Sequence, residues 1–211
     1  MNKKIEYINI TDDYIVVKKP ANMKLYGDEN EKEVLNKLVH KEHDLFLNHT
    51  DKFGIIYHVE EEIEGIVLLS RNKNFHEKIL KIIEEKLFKI KYLAVVFSEK
   101  NNKSFKQKDA ISLILNNKIH IDMFYEIINT HHLYNTLSIY TNKHINHQIN
   151  ILLNHIKTNI VGDKKYGGME FDTLCLFITE IFFIYKGAEI HFSLNMFYTH
   201  KINNLLMRLH F

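Results

Sequence analysis

The chain has 211 residues, a hydrophobic fraction of 45% and a formal charge of +2, so it can bury a sizeable core but carries a weak basic footprint for a nucleic-acid binder. Its single cysteine, Cys175, excludes an internal disulfide and fits a reducing compartment; the run Leu174-Cys175-Leu176-Phe177 implies a buried, inert thiol. No signal-type apolar stretch follows Met1-Asn2-Lys3-Lys4, and no window reaches the ~18 apolar residues of a membrane span, so a cytoplasmic protein without a membrane partner is expected.

In chain order, strand-like runs at 5–10 and 14–18 are joined by the turn signal Thr11-Asp12-Asp13. A helix is expected over 31–40, with Val34, Leu35 and Leu38 on one face. Strands at 55–59 and 65–70 flank an acidic loop, Glu60-Glu61-Glu62. Phe75, Ile79, Ile82 and Ile83 recur at helical spacing and predict an amphipathic helix over 74–85. Strands follow at 89–97, with Tyr92 inside, and at 110–115, 119–128 and 133–140. The polar, Lys-rich stretch 98–109 reads as a loop, and His131-His132 as a strand end.

Ile145, Ile149, Leu152, Leu153 and Ile156 make a second helical stripe of the width that packing on a sheet requires. The turn-rich stretch 161–168 comes next, then a hairpin of 173–185 and 189–194 about Lys186-Gly187. A closing helix over 198–209 puts Ile202, Leu205, Leu206 and Leu209 on one face, for the core or for an oligomer contact; the oligomeric state is left open. There is no internal repeat and no Pro- or Ser-rich linker. Long strand runs with few helices imply an α+β domain with a mixed, mostly antiparallel sheet flanked by helices.

Four segments in this order resemble the RluA-type RNA pseudouridine synthases. Tyr14-Ile15-Val16-Val17-Lys18-Lys19-Pro20-Ala21 is similar to that family's opening strand, which ends Lys-Pro-Ala-Gly; Asn22 stands in place of the glycine. Gly54 to Leu69 resembles the catalytic loop, usually H-R-L-D-x-x-T-S-G-L-L-L. Lys89 to Val96 is similar to the second motif. Ile145-Asn146-His147-Gln148-Ile149-Asn150, followed by Ile160-Val161-Gly162-Asp163-Lys164-Lys165-Tyr166-Gly167, resembles the third, R-T-H-Q-I-R with I-V-G-D-x-x-Y-G. The resemblance spans nearly the whole chain and implies a single pseudouridine synthase-like catalytic domain over 1–211, with no S4-type domain.

The resemblance implies a reaction that breaks the bond from ribose C1′ to uracil N1, turns the base and rejoins it through C5, with no cofactor and no metal. A carboxylate acts on sugar or base, a cation keeps it ionised, and an aromatic ring stacks on the flipped base. Glu60 falls on the aspartate position, Tyr92 on the stacking tyrosine, His58 on the arginine that backs base flipping and Tyr57 on the histidine before it. His147, Gln148 and Asn150 fall in the substrate-binding third motif, Asn150 on the arginine that pairs with the carboxylate; Ile145 and Asn146 replace its first two residues.

Three family arginines are thus absent, and none has become lysine in a chain rich in Lys, Asn and Ile, whose two arginines are Arg71 and Arg208. Glutamate extends the carboxylate by roughly 1.5 Å, while ~1 Å of misplacement can cost about a hundredfold in rate. Three readings stay open. One is an isomerase of uridine in ribosomal or transfer RNA. The second is a pseudoenzyme that binds RNA or the ribosome without turnover. The third is a protein-interaction module. Among the fourteen histidines, His144 and His147 are three apart at a helix start, a spacing that can share a ligand face, and His155 lies two turns on, yet no cysteine or acid joins them as a metal set. Glu61 and Glu62 read as solvated, and Asp163 as a turn residue that accepts from backbone amides.

Overall fold

A computed structural model describes residues 4–28, 31, 33–46, 53–98, 105–116, 118–142 and 145–209. Among these, the elements are β1 (Glu6–Ile10), β2 (Tyr14–Lys19), α1 (Leu35–Glu42), β3 (Glu64–Ser70), α2 (Lys73–Glu84), β4 (Lys89–Phe97) and β5 (Lys108–Leu115). There follow β6 (Ile119–His131), β7 (Tyr134–Thr141), α3 (Gln148–His155), β8 (Asn159–Ile160), β9 (Leu176–Tyr185), β10 (Ala188–Ser193) and α4 (Asn195–Arg208). The fold is α+β, a mixed sheet of mostly antiparallel strands flanked by helices. The chain divides into two compact units, Met1–Phe88 with Phe182–Ile190, and Lys89–Ile181 with His191–Phe211.

In the first unit, β1, β2 and β3 run antiparallel, with Tyr14 opposite Ser70 and Lys19 opposite Gly65. The turn from β1 to β2 is fixed by Thr11, whose hydroxyl accepts from the amides of Asp13 and Tyr14 at 3.2 and 2.9 Å. The core is aromatic: Phe75 of α2 packs against Tyr14 and Tyr185 with ring centroids 5.0 and 4.9 Å apart, and Phe88 stacks on Phe183 at 5.8 Å. Asn72 caps α2 by accepting from the amide of Phe75 at 2.9 Å, which satisfies an otherwise orphaned donor of the first turn.

Two expectations in this unit need correction. The helix foreseen over 31–40 is α1, shifted towards the C-terminus; residue 32 lies outside the described residues. Its buried face is Leu35, Asn36 and Val39, while Leu38 is half-exposed and Val34 precedes the first turn. The strand foreseen at 55–59 is a single bridge, Ile55 to Leu69, followed by loop. Apolar content alone suggested a strand, but Gly54 turns the chain through φ +65° and only one residue pairs before it leaves the sheet.

In the second unit, β4 pairs with β7, β7 with β6 and β6 with β5, all antiparallel; Tyr92 lies opposite Ile139, which lies opposite Tyr125. The two-residue β8 beside β4 was not foreseen. α3 packs on this sheet through Ile149, Leu152 and Leu153. α4 starts three residues earlier than expected and buries Tyr198, Ile202, Leu205 and Leu206, Tyr198 stacking on Phe177 at 5.0 Å. Burial pushes the Cys175 thiol up to about 12, so it stays protonated and inert. The turn from β9 to β10, which belongs to the first unit, lies on Lys186 and Gly187, both left-handed (φ +50° and +78°), the geometry of a tight two-residue turn. Most of the expected loop 98–109 lies outside the described residues, as does His144.

Candidate functional site

The acidic loop begins at Gly54. A methyl group there would sit 2.7 Å from the Ser70 carbonyl oxygen, so the close backbone approach, at a φ of +65° that glycine adopts freely, leaves no room for a side chain. The amide of Gly54 donates to Phe46 O at 2.8 Å, and the amide of Ser70 donates to Gly54 O at 2.8 Å, pinning the loop to the end of β3. The loop closes through the Ile63 amide, which donates to Glu60 O at 3.2 Å. That turn holds Glu60 inward, 7% exposed, while Glu61 and Glu62 project into solvent.

Tyr57 packs against Phe88 at 5.5 Å, and its hydroxyl donates to Ile66 O at 3.5 Å; burial raises its pKa, so the phenol stays neutral. His58 sits edge-on to Tyr26, ring centroids 5.8 Å apart.

Sequence reasoning assigned no role to Lys19, yet its ammonium is buried against the acidic loop. It is 0% exposed at the end of β2, and its ammonium donates to the carbonyls of Glu61, Met23 and Pro20 at 2.8, 2.9 and 3.1 Å. All three donors of the ammonium are thus satisfied, the condition under which a buried lysine is tolerated. The bond to Glu61 O fixes a positive charge one peptide from Glu60. The sequence did hold a signal: a lysine closing an apolar strand directly before the only proline. Asn22, at the place of the resembling motif's glycine, adopts φ +56°, a conformation asparagine tolerates better than most residues.

In the second unit, Tyr92 is 1% exposed in the middle of β4. His147 precedes α3 in the left-handed region (φ +58°), and its Nε2 lies 2.9 Å from the Lys165 ammonium. Gln148 is consumed internally: its amide nitrogen donates to Thr141 Oγ1 at 2.9 Å and to Asp122 O at 2.5 Å, and its oxygen accepts from the Ile145 amide at 3.2 Å. Asn150 donates to Asp163 Oδ2 at 2.6 Å. Asp163 behaves as expected of a turn residue, its other oxygen accepting from the amides of Lys165 and Tyr166 at 3.1 and 3.0 Å. Among the described residues no group of three or more His, Cys, Asp or Glu could hold a metal, and no helix is long and apolar enough to cross a membrane.

The architecture is the pseudouridine synthase fold. Residues 13–155 match the protein family described as RNA pseudouridylate synthase, and the chain belongs to that family. Among solved structures, it is similar to human RNA pseudouridylate synthase domain containing 1, at 11% identity and TM-score 0.73 over 90% of this chain and 83% of that one. It is similar to human RNA pseudouridylate synthase domain containing 4, at 14% identity and TM-score 0.72 over 95% and 92% of the two chains. A further pseudouridylate synthase aligns at 13% identity and TM-score 0.52 over 92% and 73%. At these identities the structural likeness speaks for the fold. A search of curated protein sequences found no match.

Proposed function

We propose that the chain is a divergent RluA-type pseudouridine synthase that isomerises uridine in ribosomal or transfer RNA, with Glu60 in the aspartate's role. Tyr92, buried in the free chain, takes the stacking role on the displaced base only once RNA uncovers its ring, and His58 with Tyr57 assists the displacement. The observation that carries this reading is the buried Lys19 ammonium held on the carbonyl of Glu61, the residue next to the buried Glu60. A fixed cation near a carboxylate favours its ionised form, which the chemistry needs whether the group attacks the sugar or takes a proton. Lys19 would then supply part of the potential that the absent arginines do not.

The test is release of tritium from C5-labelled uridine RNA. Turnover by the native chain, abolished by Glu60→Gln, is the expected result; no release from bulk cellular RNA prepared without this chain would overturn it. A second reading, an RNA- or ribosome-binding pseudoenzyme, is favoured by Asn150, whose amide is spent on Asp163 where the resembling motif places a guanidinium. It predicts RNA binding without tritium release.

A further inference from the structure

We infer that Lys165, His147 and Tyr166 form a contact site for the RNA backbone, taking one phosphodiester on the lysine and the adjoining nucleotide on the tyrosine ring. The inference rests on the reading that the chain handles RNA, and it adds to that reading a location outside the acidic loop.

The three side chains meet in one cluster. Lys165 Nζ is 2.9 Å from His147 Nε2 and 5.7 Å from the centre of the Tyr166 ring, and the His147 and Tyr166 rings are 5.7 Å apart. A lysine ammonium can only donate, so His147 must accept at Nε2 and carry its proton on Nδ1. Among the described residues neither Lys165 nor its exposed neighbour Lys164 has a carboxylate partner.

The acid nearest in sequence is withdrawn. Asp163 is 5% exposed and both its oxygens are engaged, by Asn150 and by the amides of Lys165 and Tyr166. The turn therefore spends its negative charge inward and presents its positive charge outward.

The cluster is also held before any ligand arrives. Asn154 donates to Tyr166 O at 3.0 Å and Asn159 to Gly167 O at 3.2 Å. The amide of Gly168 donates to Asp163 O at 2.7 Å, and the amide of Gly162 to Met169 O at 2.8 Å. A methyl group at Gly168 would lie 2.0 Å from Ile160 O, so the turn is built for close backbone approach. A site whose backbone is already ordered loses little entropy on binding. An exposed ammonium without a carboxylate partner, beside a half-buried aromatic ring, matches the alternation of charge and base in single-stranded RNA.

The test measures binding of a fluorescently labelled, single-stranded RNA of about 20 nucleotides by anisotropy, at roughly 50 to 200 mM KCl. Lys165→Gln should weaken binding several-fold at low salt and reduce the slope of log affinity against log salt by about 0.7, the share of one phosphate on a single strand. Tyr166→Leu should weaken binding without changing that slope. Lys118→Gln removes the same charge from an exposed turn of the same unit and should do neither. Thermal unfolding followed by circular dichroism should be unchanged in Lys165→Gln. Equal weakening by Lys165→Gln and Lys118→Gln, or an unchanged slope in Lys165→Gln, overturns this site while leaving RNA binding standing. Absence of RNA binding by the native chain at low salt overturns both.

Discussion

At the scale of single residues, two buried groups govern stability in the first unit. Replacing Lys19 by Met keeps much of its length but takes the lysine donor away from three carbonyls, that of Met23 buried and those of Pro20 and Glu61 part-buried. At ~1–3 kcal/mol for a buried unsatisfied group, with the two part-buried carbonyls open to water, a loss of about 2 kcal/mol in urea unfolding is expected. His76 is the other. It is buried beside Ser70, with Nδ1 2.9 Å from the hydroxyl, and burial lowers its pKa below 6.5. The unfolded chain thus takes up a proton at higher pH than the folded one. The stabilisation is complete above about pH 6.5 and is lost as pH falls towards the folded value. Unfolding midpoints should therefore fall between pH 7 and pH 5, and His76→Asn should flatten that slope; an equal slope in the variant would place the titration elsewhere. Glu60 was found from the order of motifs, but its burial was not, because that depends on a turn closed by one hydrogen bond to Ile63. Lys19 was read past for the opposite reason. Its sequence setting shows a charge at a strand end, and only folding brings three carbonyls round it.

At the scale of elements, the structure depends on a few junctions. The start of α2 is set by Asn72, and Asn72→Ala should cost ~1 kcal/mol, the usual worth of a helix cap. Gly162 is more severe: φ is +81°, and a methyl group would meet Thr173 O at 2.0 Å. Gly162→Ala should destabilise by more than the ~1 kcal/mol of a left-handed backbone alone, read as a lowered thermal midpoint. Periodicity placed the helices α2, α3 and α4, each with a buried face, while β2, β3 and β4 showed as continuous apolar runs because they are buried almost throughout. It failed where periodicity is short. The bridge at Ile55 and the two-residue β8 are pairings of one or two residues, too brief to leave a pattern. The shift of α1 has a similar origin: its cap, Val34, makes no side-chain bond, so no capping residue marked the start.

At the scale of the whole molecule, the near-neutral charge of +2 makes placement of charge matter more than amount. Glu61 and Glu62 are exposed beside the buried Glu60. If RNA approaches that loop, Glu61→Gln with Glu62→Gln should tighten RNA binding several-fold at low salt and leave it nearly unchanged at high salt, where screening is complete. An unchanged affinity at low salt would place the loop away from the RNA path. The sequence by itself determined the class of fold and the family, because hydrophobic period, turn glycines and motif order are local properties that survive the loss of individual site residues. Only the tertiary structure decided which polar groups are spent inside and which remain outward. Asn150 and Gln148 are bound to internal partners, Lys19 is sunk on the acidic loop, and Lys165 is left facing solvent. The reason is that a hydrogen bond joins residues distant in the chain, such as Lys19 and Glu61, and no local pattern encodes its partner.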